Sequence, residues 1–309
     1  MEKSNFSPTA VGVFRSPYFF RIGPPNRENA PLIAMYVEKK LVPQHLVIFR
    51  DPNETFSLSL SDALIRQFSE DRYQTPIIEN FKTADKDKDG FTQHIQDVLT
   101  KYHPDFLFIP TNAPTDVTTL LNAIPPTQEY AKLKVFVGSA GYELVQTGAA
   151  FTGYTRMLIS SSAFPDEWSL LALGKPLPSF FKEYPAIYDP YNLHPQSYTY
   201  SRVNSQAMLA YDAVYAFLVA SGMTIQQGGT PIPKPNPTAE DIKNALTQIK
   251  DSRSFQGITG VISFGSDGNP INKIHFLLHV VDGGYVHVAA YQGCFLVNST
   301  CDNNINIVE

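Results

Sequence analysis

Apolar positions along the chain fall into two recurring patterns. Short, nearly unbroken apolar runs occur at His45–Phe49, Asp105–Pro110 and Leu133–Gly138. Runs of this kind suit strands buried on both faces of a parallel sheet. Ile77–Phe81 reads as an edge-like strand and Arg156–Ser161 as a further strand. Between these runs the apolar residues recur at helical spacing. In Asn29–Lys40, Leu32, Ile33, Tyr36 and Val37 share a face. Ser59–Glu70, Phe91–Tyr102 and Asp116–Asn122 are the next expected helices. Strand and helix thus alternate with short loops, which predicts a parallel, doubly wound α/β sheet with right-handed crossovers. In such sheets ligands sit beyond the C-terminal ends of the strands. That rule selects the loops Asp51–Ser59, Thr111–Asp116 and Ser139–Glu143.

The ends of the chain have a different texture. Ser16–Pro25, SPYFFRIGPP, reads as a short apolar strand leading into a Pro-rich crossing. Phe164–Asp189 is rich in Pro and aromatics. Asn204–Ser221 is a strong helix, and Gly228–Pro237 a Pro/Gly loop that cannot form a core. Thr238 caps a helix over Ala239–Lys250, with Asp241 placed for a capping box. The close is a β-meander: Val261–Phe264, a Ser266-Asp267-Gly268-Asn269-Pro270 turn, Ile274–Val281 and Tyr285–Tyr291. No internal repeat is evident.

Composition narrows the class. A hydrophobic content of 43% with 17% charged residues suits one large or two ordinary globular domains in 309 residues. The net charge of −5 argues against nucleic acid or an anionic membrane as partner. No apolar run approaches the ~20 residues of a spanning helix. No basic-then-apolar leader can be read at the start. Cys294 and Cys301 are the two cysteines; they suit a short disulfide in an oxidising compartment or two inert thiols, and are too few for a structural zinc site. Asp85-Lys-Asp-Lys-Asp89-Gly90 has the opening of a calcium loop, but the twelfth position is Gln96, so a solvated loop is expected. His275 and His279 share a strand face without a third ligand. No P-loop, dinucleotide fingerprint or nucleophile elbow occurs, so neither catalysis, a metal nor a cofactor is expected.

Three segments carry a family resemblance: SPYFFRIGPP, the helix Ala210-Tyr-Asp-Ala-Val-Tyr215, and the G-x-x-G-x-x-x-F-x-x-x-G hairpin beginning at Gly257. Together they resemble the periplasmic binding proteins of the branched-chain amino acid type, the solute-binding components of ABC transporters. The same fold serves as the extracellular ligand-binding domain of some receptors. The resemblance implies two doubly wound α/β lobes joined by a multi-strand hinge (periplasmic binding protein-like I). The family carries ~100 residues before the crossing, enough to build half a lobe, where this chain has about fifteen. An incomplete N-terminal lobe is therefore expected. The expected division is 23–163 as the complete lobe, and 1–22 with 164–309 as the partial one, which includes the C-terminal meander. Hinge segments are expected at Ile22–Pro25, Phe164–Asp166 and near Gly260–Phe264.

The resemblance further implies a non-catalytic, extracytoplasmic binder of an amino acid or related small polar ligand, closing over it by hinge motion. Its partners would be an ABC permease or a receptor, with a homodimer as a way to complete the lobe. The alternative is a ligand-sensing or protein-interaction module without ligand binding. Carried onto this sequence, the candidate ligand residues are Phe56, Ser57, Thr111, Asn112, Tyr142, Glu143 and Phe164. Amino-acid binders place an acid just beyond the strand matching Val135–Val137. Here that loop is Ser139-Ala140-Gly141 and the nearest carboxylate is Glu143. An unpaired buried ammonium is costly, so a ligand other than an α-amino acid is as well suited.

Overall fold

A computed structural model describes residues 16–81, 89–111, 113–139, 141, 154–163, 176–188, 205–222, 225–227, 230–232, 235–281, 286–293 and 305–308. The apolar runs form strands β1 (Leu46–Arg50), β3 (Phe106–Phe108), β4 (Lys134–Phe136) and β5 (Met157–Ser161), with β2 (Ile77–Asn80) at the edge. All five are parallel, in the order β2-β1-β3-β4-β5. Alternate side chains enter opposite layers. Val47, Phe49, Leu107, Val135, Met157 and Ile159 pack into one core. Leu46, Ile48, Phe106, Phe108, Phe136 and Leu158 pack into the other. Both faces are apolar because helices cover both.

Helices α1 (Asn26–Tyr36) and α2 (Thr55–Glu70) cover the second face through Leu32, Ile33, Leu60, Leu64 and Phe68. Helices α3 (Asp89–Tyr102) and α4 (Pro114–Ala123) cover the first through Phe91, Ile95, Val117 and Leu121. The doubly wound expectation is met. Several starts differ by a few residues, for local reasons. Helix α2 begins at Thr55 because the Glu54 side chain accepts from the backbone N–H groups of Phe56 and Ser57, at 3.0 and 2.5 Å. Helix α4 begins at Pro114, whose fixed φ suits the first helical position, which leaves Asp116 inside the first turn. Helix α1 starts earlier and widens at its end into a π turn over Val37–Leu41. Pro43 disfavours helical geometry at Val42, which takes φ +43 and closes the turn on the Val37 carbonyl at 2.8 Å. No strand forms over Ser16–Pro25; this crossing is irregular and is tied by Arg21 N–H donating to the Gly268 carbonyl at 3.1 Å.

Beyond the crossings lie α5 (Phe180–Tyr188) and α6 (Ser205–Gly222), then a small hairpin of β6 (Ile225–Gln227) and β7 (Thr230–Ile232). Part of the expected Gly228–Pro237 loop is therefore strand. Helix α7 (Ala239–Leu246) carries the expected capping box: Asp241 N–H donates to Thr238 Oγ1 at 3.2 Å, and Thr238 N–H to Asp241 Oδ2 at 2.8 Å. A second hairpin, β8 (Phe255–Gly257) with β9 (Gly260–Ile262), packs with α6 and α7. Ile22, Ala216, Ala220, Ala245, Ile249, Ile262 and Phe264 form a small core of their own there.

One assignment is corrected. The C-terminal meander divides: its first run, with β9, stays with α6 and α7, but the later strands do not. Strand β10 (His275–Val280) pairs antiparallel with β5, Leu278 opposite Ile159, and β11 (Val286–Gln292) and β12 (Asn306–Ile307) extend the same sheet. The physical reason is that β10 is buried on both faces, with Phe276 and Leu278 in one core and Leu277 in the other. Only the double-covered sheet offers it two apolar layers.

Candidate functional site

Strand order reverses about β1 and β3, so the crevice expected of such a sheet opens at their C-terminal ends. A cavity of about 340 Å³ lies at that end of the sheet, large enough for a small organic ligand. One wall is Phe56 at the start of α2, Ser139 beyond β4, and Ser160, Ser161 and Ser162 at the end of β5. The opposite wall is α6, through Ser205, Gln206, Leu209, Ala210 and Ala213. The irregular crossing Phe19–Gly23 and Asn29 of α1 close the remaining side.

Phe56 stands where the sequence places it. Gly138, at φ +66, lets the chain pass under its ring: a Cβ there would lie 3.1 Å from Phe56 Cε1 and 2.9 Å from the Thr111 carbonyl oxygen. Phe56, Thr111 and Gly138 are thus brought together. Ser57 is buried, and its Oγ accepts from Asp51 N–H at 3.0 Å, which holds the loop after β1. Thr111 is buried too; its Oγ1 donates to Asp116 Oδ2 at 3.2 Å and accepts from Ala113 N–H at 3.1 Å, shaping the start of α4. Neither Ser57 nor Thr111 is among the described residues lining the cavity. Asn112, Tyr142, Glu143 and Phe164 lie outside the described residues, as do Cys294, Cys301 and the 85–88 acidic run.

Sequence reasoning missed Arg21, Asn29, Ser160–Ser162 and most of α6. The three consecutive serines had a signal, since they end a strand as the loops already selected do. Arg21 had none, because its position depends on how the crossing folds back. Its guanidinium sits 5.3 Å from the centre of the Phe19 ring. Burial pulls its pKa below the usual arginine range, and neighbouring Arg27 adds to this, while Asp267 and Glu28 oppose it. The lining is otherwise apolar surface studded with hydroxyl and amide groups. Among the described lining residues there is no histidine or carboxylate.

Helix α6 is anchored by Asp212, which is fully buried and accepts from Ile258 N–H at 2.9 Å, Thr259 N–H at 2.8 Å and the Thr259 hydroxyl. Buried Lys273 donates to Thr259 Oγ1 at 2.5 Å. A Cβ at Gly257 would fall 2.5 Å from Asp212 Oδ2, so the β8–β9 turn closes onto the helix because residue 257 lacks one. This is the structural content of the Ala-Tyr-Asp-Ala segment.

No family model matches the sequence. No curated protein matches it either. The fold does have counterparts among solved structures. A leucine-binding protein from Thermotoga maritima superimposes with a TM-score of 0.63 at 19% identity, covering 88% of this chain and 67% of its own. A branched-chain amino acid transporter substrate-binding protein from Streptococcus pneumoniae, in complex with isoleucine, gives 0.58 at 19%, covering 85% and 64%. A solute-binding protein of an ABC transporter from R. palustris, in complex with benzoate, gives 0.61 at 13%, covering 94% and 68%. The fold is that of the ABC transporter substrate-binding proteins, the periplasmic binding protein type I architecture. This chain spans about two thirds of the length of those chains.

Proposed function

We propose that the chain binds a small solute in the cleft between the sheet and α6, without transforming it, as the binding component of an ABC-type transporter. The observation that carries this is the cavity of about 340 Å³ at the C-terminal ends of the strands, lined by apolar surface with dispersed hydroxyl and amide groups. The leucine-binding counterpart and those in complex with isoleucine and benzoate support a ligand of that size. On this reading 23–163 is one lobe, and α6, α7 and the β8–β9 hairpin belong to the other. The crossing near Ile22–Pro25 is one hinge, and closure presses α6 toward Phe56. Phe56 covers the solute, with Ser57, Thr111, Asn112, Tyr142, Glu143 and Phe164 near it. An extracytoplasmic location and a permease partner go with the same reading.

Thermal-shift screening of small acids, amides and amino acids tests this, since a ligand of the native state raises its stability by RT ln(1 + [L]/Kd). A rise in melting temperature that Phe56→Ala removes is the expected result. No shift with any of them sinks the reading. A second reading is a sensing or protein-interaction module. It draws on the outer side of α6, where Val214 is 60% and Leu218 59% exposed beside Tyr211, Tyr215 and Phe217. Light scattering after size exclusion separates the two. A monomer with a ligand-induced shift favours solute binding, and an obligate dimer without one favours interaction.

A further inference from the structure

We infer that the cleft takes a solute with an aromatic ring, seated among Phe19, Phe20 and Phe56, in preference to one with a saturated body of the same size. The inference rests on the solute-binding reading and names its substrate class. The preference concerns the apolar body alone, whatever charge the polar end carries. Three phenylalanines line the cavity, Phe19 and Phe20 from the crossing and Phe56 from the start of α2. Each ring is held by a neighbour. Phe56 lies over Gly138, where a Cβ would fall 3.1 Å from its Cε1 and 3.3 Å from its Cζ. Phe20 stands edge-on to buried Phe264, with ring centres 5.3 Å apart and planes at 79°. Phe19 packs against the Arg21 guanidinium, 5.3 Å from the ring centre. Rings already fixed lose little side-chain freedom when a ligand arrives.

Burial and ring chemistry favour different ligands here. Apolar burial alone favours a saturated ring, which has a larger apolar surface than an aromatic ring of the same carbon count. An aromatic ring instead meets phenylalanine rings through its quadrupole, edge against face or offset, and such a pair is worth more than its buried area. Rings on two sides of one cavity let a ligand ring make more than one such pair. Helix α6 adds aliphatic Leu209 and Ala213 on the wall opposite Phe56, and Asn29 and Ser162 put hydrogen-bonding groups in the same cavity for a polar substituent.

The experiment is titration calorimetry of the full chain with matched pairs of probes: phenylalanine and cyclohexylalanine, 3-phenylpropanoate and 3-cyclohexylpropanoate, and the primary amides of those two acids. In each pair that binds, the aromatic member is expected to bind about two- to tenfold tighter. Phe20→Leu and Phe56→Leu should each weaken the aromatic member more than the saturated one, with far-UV circular dichroism confirming the fold. A saturated member that binds the unaltered chain as tightly as its aromatic counterpart, or tighter, overturns the inference while leaving solute binding intact. An aromatic preference unchanged in both variants overturns it as well. If none of the probes binds at millimolar concentration, the solute-binding reading falls and the inference with it. The pairs measured on the unaltered chain decide the matter even if a variant fails to fold.

Discussion

Strand β5 enters the cleft with every residue buried and is flanked by β4 and β10, whereas α6 across the cavity leaves Val214 and Leu218 in solvent. The sheet wall draws on two large cores, one on each face. Much of the α6 wall rests on a small cluster rich in alanine, on Met208 and on the Asp212 cage around the β8–β9 turn. The difference teaches how the cleft can work. One wall is packed on both faces, while the other is attached by a few specific contacts, as the proposed closure requires. Low local stability is where binding segments and moving elements are drawn from.

The largest test of this contrast is Phe276→Ala. The ring is buried in the main core, so the loss should be about 3–5 kcal/mol in urea unfolding. The far-UV and near-UV signals should fall together. Separate transitions would show that the two regions do not share one cooperative unit.

Acid should weaken the sheet through His275, which is buried with its Nδ1 3.3 Å from the Lys273 carbonyl. Burial pulls its pKa from 6.5 to about 4 in the folded chain. The unfolded chain therefore takes up the proton first. Stability is full above about pH 6.5 and falls as the pH drops toward 4, by about 3 kcal/mol from this group. His275→Leu should flatten that part of the stability–pH curve. An unchanged slope refutes the assignment to His275.

Asp212→Asn acts on the other wall. It replaces a carboxylate that accepts three hydrogen bonds, so a loss of about 2 kcal/mol is expected. Hydrogen exchange should rise in α6 and β8–β9 before it rises in β1, β3 or β5. Uniform loss of protection would mean that α6 is as deeply integrated as the strands. Gly138→Ala should cost about 1–2 kcal/mol for the left-handed backbone, and should weaken ligand binding by displacing the Phe56 ring. A variant that binds normally would remove Phe56 from the site.

The smallest effect belongs to the exposed side of α6. Leu218→Ser should change stability by less than about 0.5 kcal/mol if that face meets solvent. A cost of several times that, dependent on protein concentration, would show that a second copy covers it.

Much of the sheet was readable from local pattern. The runs at Leu46–Phe49, Phe106–Phe108 and Val135–Phe136 are apolar at every position, which only a strand covered on both sides requires. The Thr238–Asp241 capping box was readable too, because its partners are three residues apart. Ligand loops could be selected by rule, and Phe56 and Ser139 from those loops do line the cavity. Less was readable where the partners are distant in sequence. Ser57 and Thr111 are polar residues beside the cleft, yet their hydroxyls engage Asp51 and Asp116, and nothing in their spacing distinguishes such structural bonds from ligand bonds. Asp212 reads locally as one polar residue in an apolar helix; its role depends on a turn 46 residues later that closes on it.

By itself the sequence determined most strands and helices of the parallel sheet and that both its faces are covered, because period and burial are properties of neighbouring residues; it did not determine the irregular crossing at Ser16–Pro25 or the β6–β7 hairpin. Tertiary structure decided where β10 and β11 go, since their two apolar faces needed a double-covered sheet and β5 offered the free edge. It also decided that Arg21 reaches the cleft. That position comes from the crossing folding against the Gly268 turn, a contact between residues far apart along the chain that no local pattern encodes.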